Sequence, residues 1–472
     1  MPALSTAATD TPRLTKIICT VSDLNCSEGF ITSLYRAGMN AVRLNTAHQS
    51  VTSTERIIHN IRRVSQDIAI ILDTKGAEIR TCGLAGDLPL TAGQMVTIIS
   101  GHPPRVNAPE FAVNTPLLVQ NIPTLCTLLL DEGKIVLEVV DKETTRVQCR
   151  VLRGGVLTNR RSVNVPGVDL GLPGITEQDR AYIDLAIKTN VDFIAHSFVR
   201  NRQDVMQMQE LLQQAGSSIK IIAKIENREG INNLQEIIEC AWGILIARGD
   251  LGNEIPAEQV PQVQKSIIRQ CRQAGAPVIL ATHILGSMTG KPRPTQAEIS
   301  DAANAVLDGV DALTLTGETA EGIYPVETTR NLSEICRYTE TWQDDNNAIR
   351  EQLPEGEPHL IQAIHQVLEA AGNKAISAVI DETPAGVAAR LLAAARCNVP
   401  VFIPCATPAQ KRLYALLYGV FSFIGQLDAS CDGTQTPGKD APVAIVTAAP
   451  GPGIGIKVKF LSSDDYNHQK NY

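Results

Sequence analysis

Residues 219–226 read IKIIAKIE, and residues 243–250 read GILIARGD. Each stretch is a short run of mostly aliphatic residues that ends in charged residues. Runs of this kind are typical of strands that are buried on both faces of a parallel sheet. Six further runs occur along the chain, at residues 16–20, 41–45, 68–73, 192–197, 277–282 and 312–316.

The spacing of the eight runs predicts the fold. Most consecutive runs end about 25 to 35 residues apart, which is the length of one strand followed by one helix. Asp73 and Ser197, which end the third and fourth runs, are 124 residues apart. One ordinary unit leaves roughly 90 to 100 of these residues over, enough for a small domain. The pattern favours a (β/α)8 TIM barrel with a domain inserted after its third strand, and an open doubly wound sheet is the alternative.

The rest of the chain divides around this barrel. The insertion contains β-rich pieces at residues 95–99, 125–130, 135–140 and 145–151, which predict a small β-barrel or sandwich. A polar stretch at residues 343–358 predicts a linker. After it, helix-like segments at residues 360–371, 385–397 and 409–418 alternate with strand-like segments at 376–380, 401–404 and 443–446. We therefore expect three domains: the barrel at residues 1–78 and 174–342, an inserted β lid domain at residues 79–173, and a C-terminal open α/β domain at residues 343–472.

Composition disfavours several classes of protein. The chain has 472 residues, a net charge of −8 and 44% hydrophobic residues, which is a globular composition. The acidic balance disfavours broad nucleic-acid binding, and no apolar stretch is long enough for a membrane span. The 11 cysteines contain no C-x-x-C pair, and the N-terminus has no signal-peptide pattern. We expect reduced thiols and a cytoplasmic protein.

Polar residues end most of the predicted barrel strands. In a barrel, such residues converge on one mouth, whereas any single one of them could simply be a turn residue. Residues two apart on a strand, such as Lys224 and Glu226, point to the same side. The strand-end groups are Arg43 and Asn45, Asp73 to Lys75, Lys224 and Glu226, Arg248 to Asp250, Thr282 and His283, and Thr316 to Thr319.

Two carboxylates, Glu226 and Asp250, end neighbouring strands. Two carboxylates that face one cleft repel each other unless a cation lies between them, and oxygen ligands suit Mg²⁺. The alternative is a pair of salt bridges with Lys224 and Arg248. Cations at the same mouth favour a phosphorylated, anionic substrate. They are Arg43, Lys75, Arg80, Lys224 and Arg248.

Two glycine-rich stretches near the C-terminus resemble phosphate loops only superficially. Residues 433–439 have the spacing of such a loop, but Asp440 replaces the required Ser or Thr, and Pro437 removes a backbone N–H. Residues 451–455 lack the full dinucleotide-binding spacing. We expect a polar surface loop and a turn, respectively.

Several motifs, in order, resemble the pyruvate kinase family over about residues 15–340. They are TKIICT (15–20), AGMN (37–40), RLN (43–45), LDTKGAEIR (72–80), IAKIEN (222–227), ARGDLG (247–252), RPT (293–295), NAVLDG (304–309) and GETA (317–320). The resemblance implies phosphoryl transfer from phosphoenolpyruvate to ADP, giving pyruvate and ATP in the final step of glycolysis. It also implies Mg²⁺ and K⁺ as cofactors and a homotetramer.

The resemblance also implies roles for individual residues. Lys224 would stabilise the migrating phosphoryl group, and Glu226 and Asp250 would hold Mg²⁺. Arg43 would contact the phosphate. The carboxylate of pyruvate would be held by Gly249, Asp250 and Thr282, and Thr282 would also lie near the face at which the enolate is protonated.

The resemblance also implies residues for the other ligands. The nucleotide would be contacted by Asn45, His48, Arg80 and Arg160. A K⁺ ion would be held by Asn45, Asp73 and Thr74, and the lid would contribute Asp131.

The chain departs from the family pattern at several positions. Ala47 replaces a Ser that supplies a K⁺ ligand, so we expect K⁺ dependence with weakened K⁺ binding. Residues 21–24 replace a Gly-Pro loop, and Arg160 replaces a lid lysine. Thr316 replaces a Ser, and Gly286 replaces a Glu.

The C-terminal domain and the function leave alternatives open. Acidic residues at 381–384 stand where many members bind fructose bisphosphate, so we expect no activation by that ligand. Two other functions remain: a different Mg²⁺-dependent barrel enzyme, such as an aldolase, and a non-catalytic metabolite sensor.

Overall fold

The computed structural model describes residues 12–100, 109–345, 357–425, 427, 441–448 and 456–470. Eight parallel strands form a closed barrel in which every strand pairs with its neighbours in sequence and the first pairs with the eighth. This closure confirms the (β/α)8 barrel over the open sheet. The barrel strands, numbered 1 to 8 below, are Lys16–Thr20, Ala41–Asn45, Ala69–Asp73, Phe193–His196, Lys220–Ile225, Gly243–Ala247, Val278–Ala281 and Ala312–Leu315.

Helices surround the barrel, and polar caps define where several of them begin. Ser50, Thr176 and Thr295 each accept a hydrogen bond from a backbone N–H of the first turn, which satisfies a donor that the helix itself leaves free. The barrel helices are Glu28–Arg36, Val51–Val64, Glu177–Thr189, Arg202–Gln214, Arg228–Asn232, Leu234–Cys240, Arg248–Glu254, Val260–Gln273, Gln296–Asp308, Gly317–Ala320 and Pro325–Asp345, with 3-10 turns at Ala257–Gln259 and Gly286–Thr289.

The inserted segment forms a small β-barrel around its own core. Its seven-stranded sheet runs in the order Val163–Asn164, Thr127–Leu130, Ile135–Lys142, Arg146–Arg153, Met95–Ile99, Glu110–Val113, Thr81–Cys82. The chain next to the two end strands is also paired, because Thr81 N–H donates to Arg161 O and Val163 N–H donates to Ile79 O. A ribbon of Leu88–Leu90 and Gly155–Leu157 and a helix, Pro116–Asn121, complete this unit.

The C-terminal segment forms an open α/β sheet of five strands. Their order is Val420–Phe423, Val401–Pro404, Ala378–Glu382, Pro442–Ala448, Ile456–Ser462, with only the last strand antiparallel. The helices are Pro358–Gly372, Val387–Ala394, Pro408–Arg412 and Ser463–Lys470, with a 3-10 turn at Pro384–Gly386. The two glycine-rich stretches and residues 346–356 of the expected linker lie outside the described residues.

Two sequence expectations at the C-terminal end are wrong. The helix expected over residues 409–418 ends at Arg412, because Leu416 instead packs into the cluster that fills the barrel interior. The expected linker begins later than residue 343, since the helix Pro325–Asp345 continues through it. Strands Val420–Phe423 and Ile456–Ser462 were also not expected.

Buried charges hold the C-terminal segment against the amino ends of the barrel strands. Lys16 is 2% exposed, donates to Val420 O at 2.7 Å and lies over the Phe421 ring. Arg396 pairs with Asp311, and Arg412 pairs with Asp192. This packing covers the amino-end face, so the carboxyl ends of the strands are the face that remains available for a site.

The junction between the barrel and the inserted unit is tightly packed. Gly76 has a φ of +69°, and a Cβ placed there would lie 2.8 Å from Phe198 Cδ2. Phe198 itself has a φ of +56°, an uncommon conformation for a residue with a side chain.

Among the described residues, no helix combines the length and apolar character needed to cross a bilayer.

We predict that Gly76→Ala destabilises the protein by about 2 to 4 kcal/mol, because the substitution adds both a left-handed backbone penalty and a steric clash. Gly93→Ala is the matched control: its φ is +85°, but no atom lies within 4 Å of the added carbon. Urea denaturation should show a loss of about 1 to 2 kcal/mol for the control. Equal losses for both variants would contradict the packing argument.

The buried His196 leads us to predict that the free energy of unfolding decreases at acidic pH. It is 1% exposed, and neither ring nitrogen has a hydrogen-bond partner among the described residues. Burial lowers the pKa of His196 to about 4, although Asp204 and Asp179 oppose this. The unfolded chain therefore binds more protons than the folded one between pH 6.5 and 4, and stability is lost as the pH falls through that window.

The loss attributable to this histidine amounts to about 3 kcal/mol by pH 4. We expect His196→Leu to lose correspondingly less unfolding free energy than the parent protein between pH 7 and pH 4.5, measured by urea denaturation. Identical pH dependence in the two proteins would show that His196 is not the titrating group.

Candidate active site

Asp73, at the end of strand 3, organises the cations at the barrel mouth. The Arg43 guanidinium donates to Asp73 Oδ2 and, at 3.1 Å, to Thr20 Oγ1. The Lys224 ammonium lies 3.0 Å from Asp73 Oδ1. Burial raises the pKa of Asp73, but Arg43 and Lys224 outweigh it, so this pKa lies below its ordinary value. Asp73 is therefore ionised and holds both cations.

Lys224 is surrounded by three oxygen partners. Its Nζ lies 3.0 Å from Asp73 Oδ1, 3.0 Å from Glu226 Oε1 and 2.7 Å from Ser197 Oγ. Burial lowers the pKa of the ammonium, but Asp73 and Glu226 together raise it by more than burial lowers it. The pKa of Lys224 therefore lies above its ordinary value. Lys224 thus carries a full positive charge at the mouth of the barrel.

Glu226 and Asp250 form a second, electrostatically unfavourable pair. Burial raises the pKa of Glu226 to about 7; Lys224 acts against this shift and Asp250 adds to it. Burial also raises the pKa of Asp250. A bound cation stabilises the ionised form of such carboxylates, and carboxylate oxygens are the donors that Mg²⁺ prefers. Within the described parts of the chain, no group of three or more acidic, His or Cys side chains is placed to hold a metal.

Of the two salt bridges that the alternative interpretation predicts, one is present and the other is not. Lys224 does pair with Glu226, but Arg248 pairs with Asp301 at 2.8 Å. Asp250 therefore faces the site without the partner that this alternative assigned to it.

A cavity of about 370 Å³ lies between the barrel mouth and the inserted unit. Ser197, Glu226 and Asp250 line it from the barrel, and Glu78 and Arg80 line it from the segment that enters the insertion. The rest of the wall mixes apolar and charged side chains, among them Val163, Val165, Leu170, Arg200, Arg228 and Glu254. The cavity thus brings acidic and basic groups of the barrel mouth and of the inserted unit to one space.

Thr282 is held in an unusual conformation by Arg248. Thr282 and His283 have φ values of +71° and +56°. Arg248 Nη2 donates to both of their carbonyl oxygens, at 2.7 Å and 3.2 Å. Gly249 N–H donates to Thr282 Oγ1 at 3.3 Å, and a Cβ at Gly249 would lie 3.2 Å from Thr282 Cγ2. The structure therefore brings Gly249 and Thr282 together, and Asp250 follows directly.

The candidate K⁺ residues lie on adjacent strands. Asn45 of strand 2 is in register with Asp73 of strand 3, and Thr74 follows directly. Asn45 Oδ1 accepts from the Ala47 N–H at 3.1 Å, and Thr74 O accepts from Ser197 Oγ at 2.6 Å. Ala47 brings no side-chain oxygen to this group.

The candidate nucleotide residues are spread over the mouth and the insertion. His48 is exposed beside Asn45. Arg80 pairs with Glu78 at 2.8 Å and donates to Arg160 O at 3.4 Å, while the Arg160 side chain is exposed. Asp131 pairs with Lys134 and Arg161.

Sequence reasoning missed two residues of the site. Ser197 binds Lys224 Nζ, and the Phe198 N–H donates to Glu226 Oε2 at 2.7 Å. Together they position the ammonium and the carboxylate from the end of strand 4. The fourth apolar run does end at Ser197. A single uncharged serine at a strand end does not indicate a functional role from sequence alone, because only the folded structure shows that it contacts Lys224.

Comparison with known proteins agrees with this geometry. The model of the pyruvate kinase barrel domain matches residues 12–329. A pyruvate kinase of Borreliella burgdorferi is 42% identical over 412 residues, which cover 87% of this chain and 86% of that protein. A pyruvate kinase of Geobacillus stearothermophilus is 42% identical over 423 residues, covering 87% and 71%. A third, from Sporosarcina psychrophila, is 41% identical over 429 residues, covering 89% and 73%.

The matched region contains all eight barrel strands and with them Arg43, Asp73, Lys224, Glu226 and Thr282. By this similarity the chain belongs to the pyruvate kinase family and is a phosphotransferase.

Proposed function

We propose that this enzyme transfers the phosphoryl group of phosphoenolpyruvate to ADP and releases pyruvate and ATP. The observation that carries the proposal is the position of Lys224, a charged and buried ammonium beside the Glu226–Asp250 pair. Family membership supports the same reaction. The P–O bond of phosphoenolpyruvate breaks, a β-phosphate oxygen of ADP forms the new bond, and carbon 3 of the enolate accepts a proton.

Lys224 and Arg43 supply the charge that this step requires. The transition state spreads negative charge over three equatorial phosphoryl oxygens, so fixed cations stabilise it more than the ground state. Asp73 pairs with both side chains and so holds them at fixed positions before substrate arrives. Little reorganisation is then needed during the reaction.

The carboxylate pair fits Mg²⁺. Glu226 and Asp250 provide two hard oxygen donors, and burial raises the pKa of each because it disfavours the negative charge, which a bound divalent cation would compensate. Bound there, Mg²⁺ supplies positive charge to phosphoryl and enolate oxygens. Phe198 N–H keeps Glu226 oriented toward the site.

Thr282 and Gly249 bind and orient the carboxylate of the substrate. Backbone N–H groups at the start of the helix Arg248–Glu254 suit an anion, and Thr282 adds a hydroxyl from the next strand. The same hydroxyl stands near the face at which the enolate is protonated. Arg248 keeps Thr282 in place from behind.

The nucleotide occupies the side of the mouth near strands 2 and 3. Asn45, His48 and Arg80 contact it there, and Arg160 contributes a cation from the inserted unit. We expect that unit to act as a lid that excludes water from the transferring group, because the carboxylate pair lines the cavity between it and the barrel mouth.

A K⁺ ion binds weakly beside this site. Asn45, Asp73 and Thr74 supply oxygens, but Ala47 leaves one position without a ligand. Both carboxylate oxygens of Asp73 already face cations, which lowers their capacity for a further charge.

The wider expectations from the sequence belong to the same proposal. The three domains are part of it: the barrel strands, the two sheets of the inserted unit and the C-terminal sheet each fall within one of the proposed ranges, although the helix Pro325–Asp345 extends the barrel domain beyond residue 342. The enzyme works in the cytoplasm as a homotetramer and does not respond to fructose bisphosphate: Asp381 is buried and accepts its hydrogen bonds from Thr383 and Ala389.

A coupled assay with ADP and phosphoenolpyruvate, with and without Mg²⁺ and K⁺, tests the proposed reaction. We expect ATP formation that requires Mg²⁺ and rises with K⁺. Carbon–carbon cleavage in place of ATP formation would instead support an aldolase-type enzyme, and ligand binding without turnover would support a sensor.

Lys224→Met should lower kcat by about three orders of magnitude or more with little change in the KM for phosphoenolpyruvate. The charge is needed mainly in the transition state, where removal of such a group acts on kcat. Steady-state kinetics measures both constants. Turnover near that of the parent enzyme would remove Lys224 from the mechanism.

Ala47→Ser should lower the K⁺ concentration needed for half-maximal activity, by about threefold to tenfold, because the hydroxyl restores an oxygen ligand. Titration of activity with KCl at constant ionic strength measures this. Ala47→Val is the control without the oxygen. An unchanged K⁺ requirement in the Ser variant would mean that position 47 does not touch the ion.

A further inference from the structure

Two loops at the barrel mouth are tied together by one buried side chain. The first loop, residues 21–27, follows strand 1, and the second loop, residues 46–50, follows strand 2. Gln49 of the second loop is 7% exposed, and its Nε2 donates to Val21 O in the first loop at 2.8 Å. This is a side-chain bond between two segments that are 28 residues apart.

Both ends of the Gln49 side-chain amide have a polar atom within hydrogen-bond distance. Gln49 Oε1 lies 3.3 Å from Thr54 Oγ1, in the helix Val51–Val64, whose single hydroxyl hydrogen also has Ser50 O as an acceptor at 2.9 Å. The backbone O of Gln49 accepts from the Tyr182 hydroxyl. A buried amide without partners costs free energy. The side chain and backbone of Gln49 together contact the first loop, the helix Val51–Val64 and Tyr182 of the helix Glu177–Thr189. Gln49 is therefore a built connection rather than a side chain that happens to be covered.

The first loop is anchored at its other side as well. Ser22 Oγ donates to Ala320 O after strand 8, and Val21 N–H donates to Arg43 O in strand 2. Between these anchors and its end, the loop exposes Asp23, Leu24 and Asn25, with Leu24 75% exposed. The exposed tip thus stands in a defined position beside the second loop.

Gln49 directly follows His48, which is exposed at the mouth. A buried residue anchored on one side restricts the backbone of its neighbour. We propose that Gln49 is a positioning residue for the nucleoside diphosphate: it joins the two loops into one wall and fixes His48 and the tip of the first loop against the nucleotide. The inference rests on the proposed function, which places ADP on this side of the mouth.

The opposite side of the barrel carries the residues for phosphoenolpyruvate. Lys224 lies on strand 5, and Glu226 and Thr282 follow strands 5 and 7; no hydrogen bond or ion pair joins these three residues to either loop in the described part of the chain. Arg43, on strand 2, does contact the first loop, because its backbone O accepts from the Val21 N–H, but its guanidinium is held by Asp73 rather than by Gln49. Loss of the Gln49 connection should therefore affect ADP and leave phosphoenolpyruvate nearly unaffected. A general structural defect would affect both substrates.

The test compares Gln49→Met with Gln209→Met. The first removes the amide at nearly constant volume; the second removes a matched bond, because Gln209 Nε2 donates to Cys240 O at 2.7 Å between two outer helices. For Gln49→Met we expect the KM for ADP to rise about fivefold or more, with kcat and the KM for phosphoenolpyruvate within about twofold. The control should leave all three constants unchanged. An unchanged KM for ADP, or an equal rise for both substrates, would overturn the proposal.

Two measurements judge the proposal independently of turnover. Calorimetric titration with MgADP alone should show affinity for Gln49→Met reduced by about the same factor, and hydrogen exchange should be faster in residues 21–27 and 46–50. If the parent protein makes no ATP, the proposed reaction fails, yet these two measurements still decide the role of Gln49. Unchanged MgADP affinity and exchange would refute it, and Gln49→Glu provides a second variant should Gln49→Met fail to fold.

Discussion

The site depends on one buried cluster of opposite charges, in which Asp73 pairs with Arg43 and with Lys224, and Lys224 pairs with Glu226. Charges this deeply buried are unfavourable unless each has partners, and removing one partner from such a cluster costs about 3 to 5 kcal/mol. The cluster is therefore preorganised by its own electrostatics. Its net effect is to hold two cations at the mouth of the barrel, where the proposed reaction would place the phosphoryl group.

The barrel makes this cluster possible because its strands bring distant residues to one end. Asp73 ends strand 3 and Lys224 lies near the end of strand 5, although the entire inserted unit separates them in sequence. At the other end, Arg396 and Arg412 from the C-terminal segment pair with barrel carboxylates, and Leu416 joins the barrel interior. One face of the barrel is thus closed by packing, which leaves the other for ligands.

Much of the fold could be predicted from residue patterns. All eight barrel strands were anticipated, because strands buried on both faces are uniformly apolar and end in polar residues. The C-terminal segment was predicted less well. The strand Ile456–Ser462 was not expected, although apolar and charged residues alternate in its first five positions, IKVKF. Residues 413–418 have helical composition, but the helix ends at Arg412 and Leu416 packs into the barrel interior. At residues 413–418 the burial of apolar side chains overrides helix propensity, because burial contributes more free energy per residue than propensity does.

The sequence by itself determined the barrel, the insertion after the third strand, the family and the charged residues Lys224, Glu226 and Asp250, since these follow from local composition and motif order. Only the tertiary structure decided which partners those residues have. Ser197 binds Lys224, Arg248 pairs with Asp301 rather than Asp250, and Gln49 joins two loops. The reason is physical: hydrogen bonds and ion pairs form over about 3 Å, and the distance between side chains on different strands is set by the closure of the barrel rather than by sequence separation.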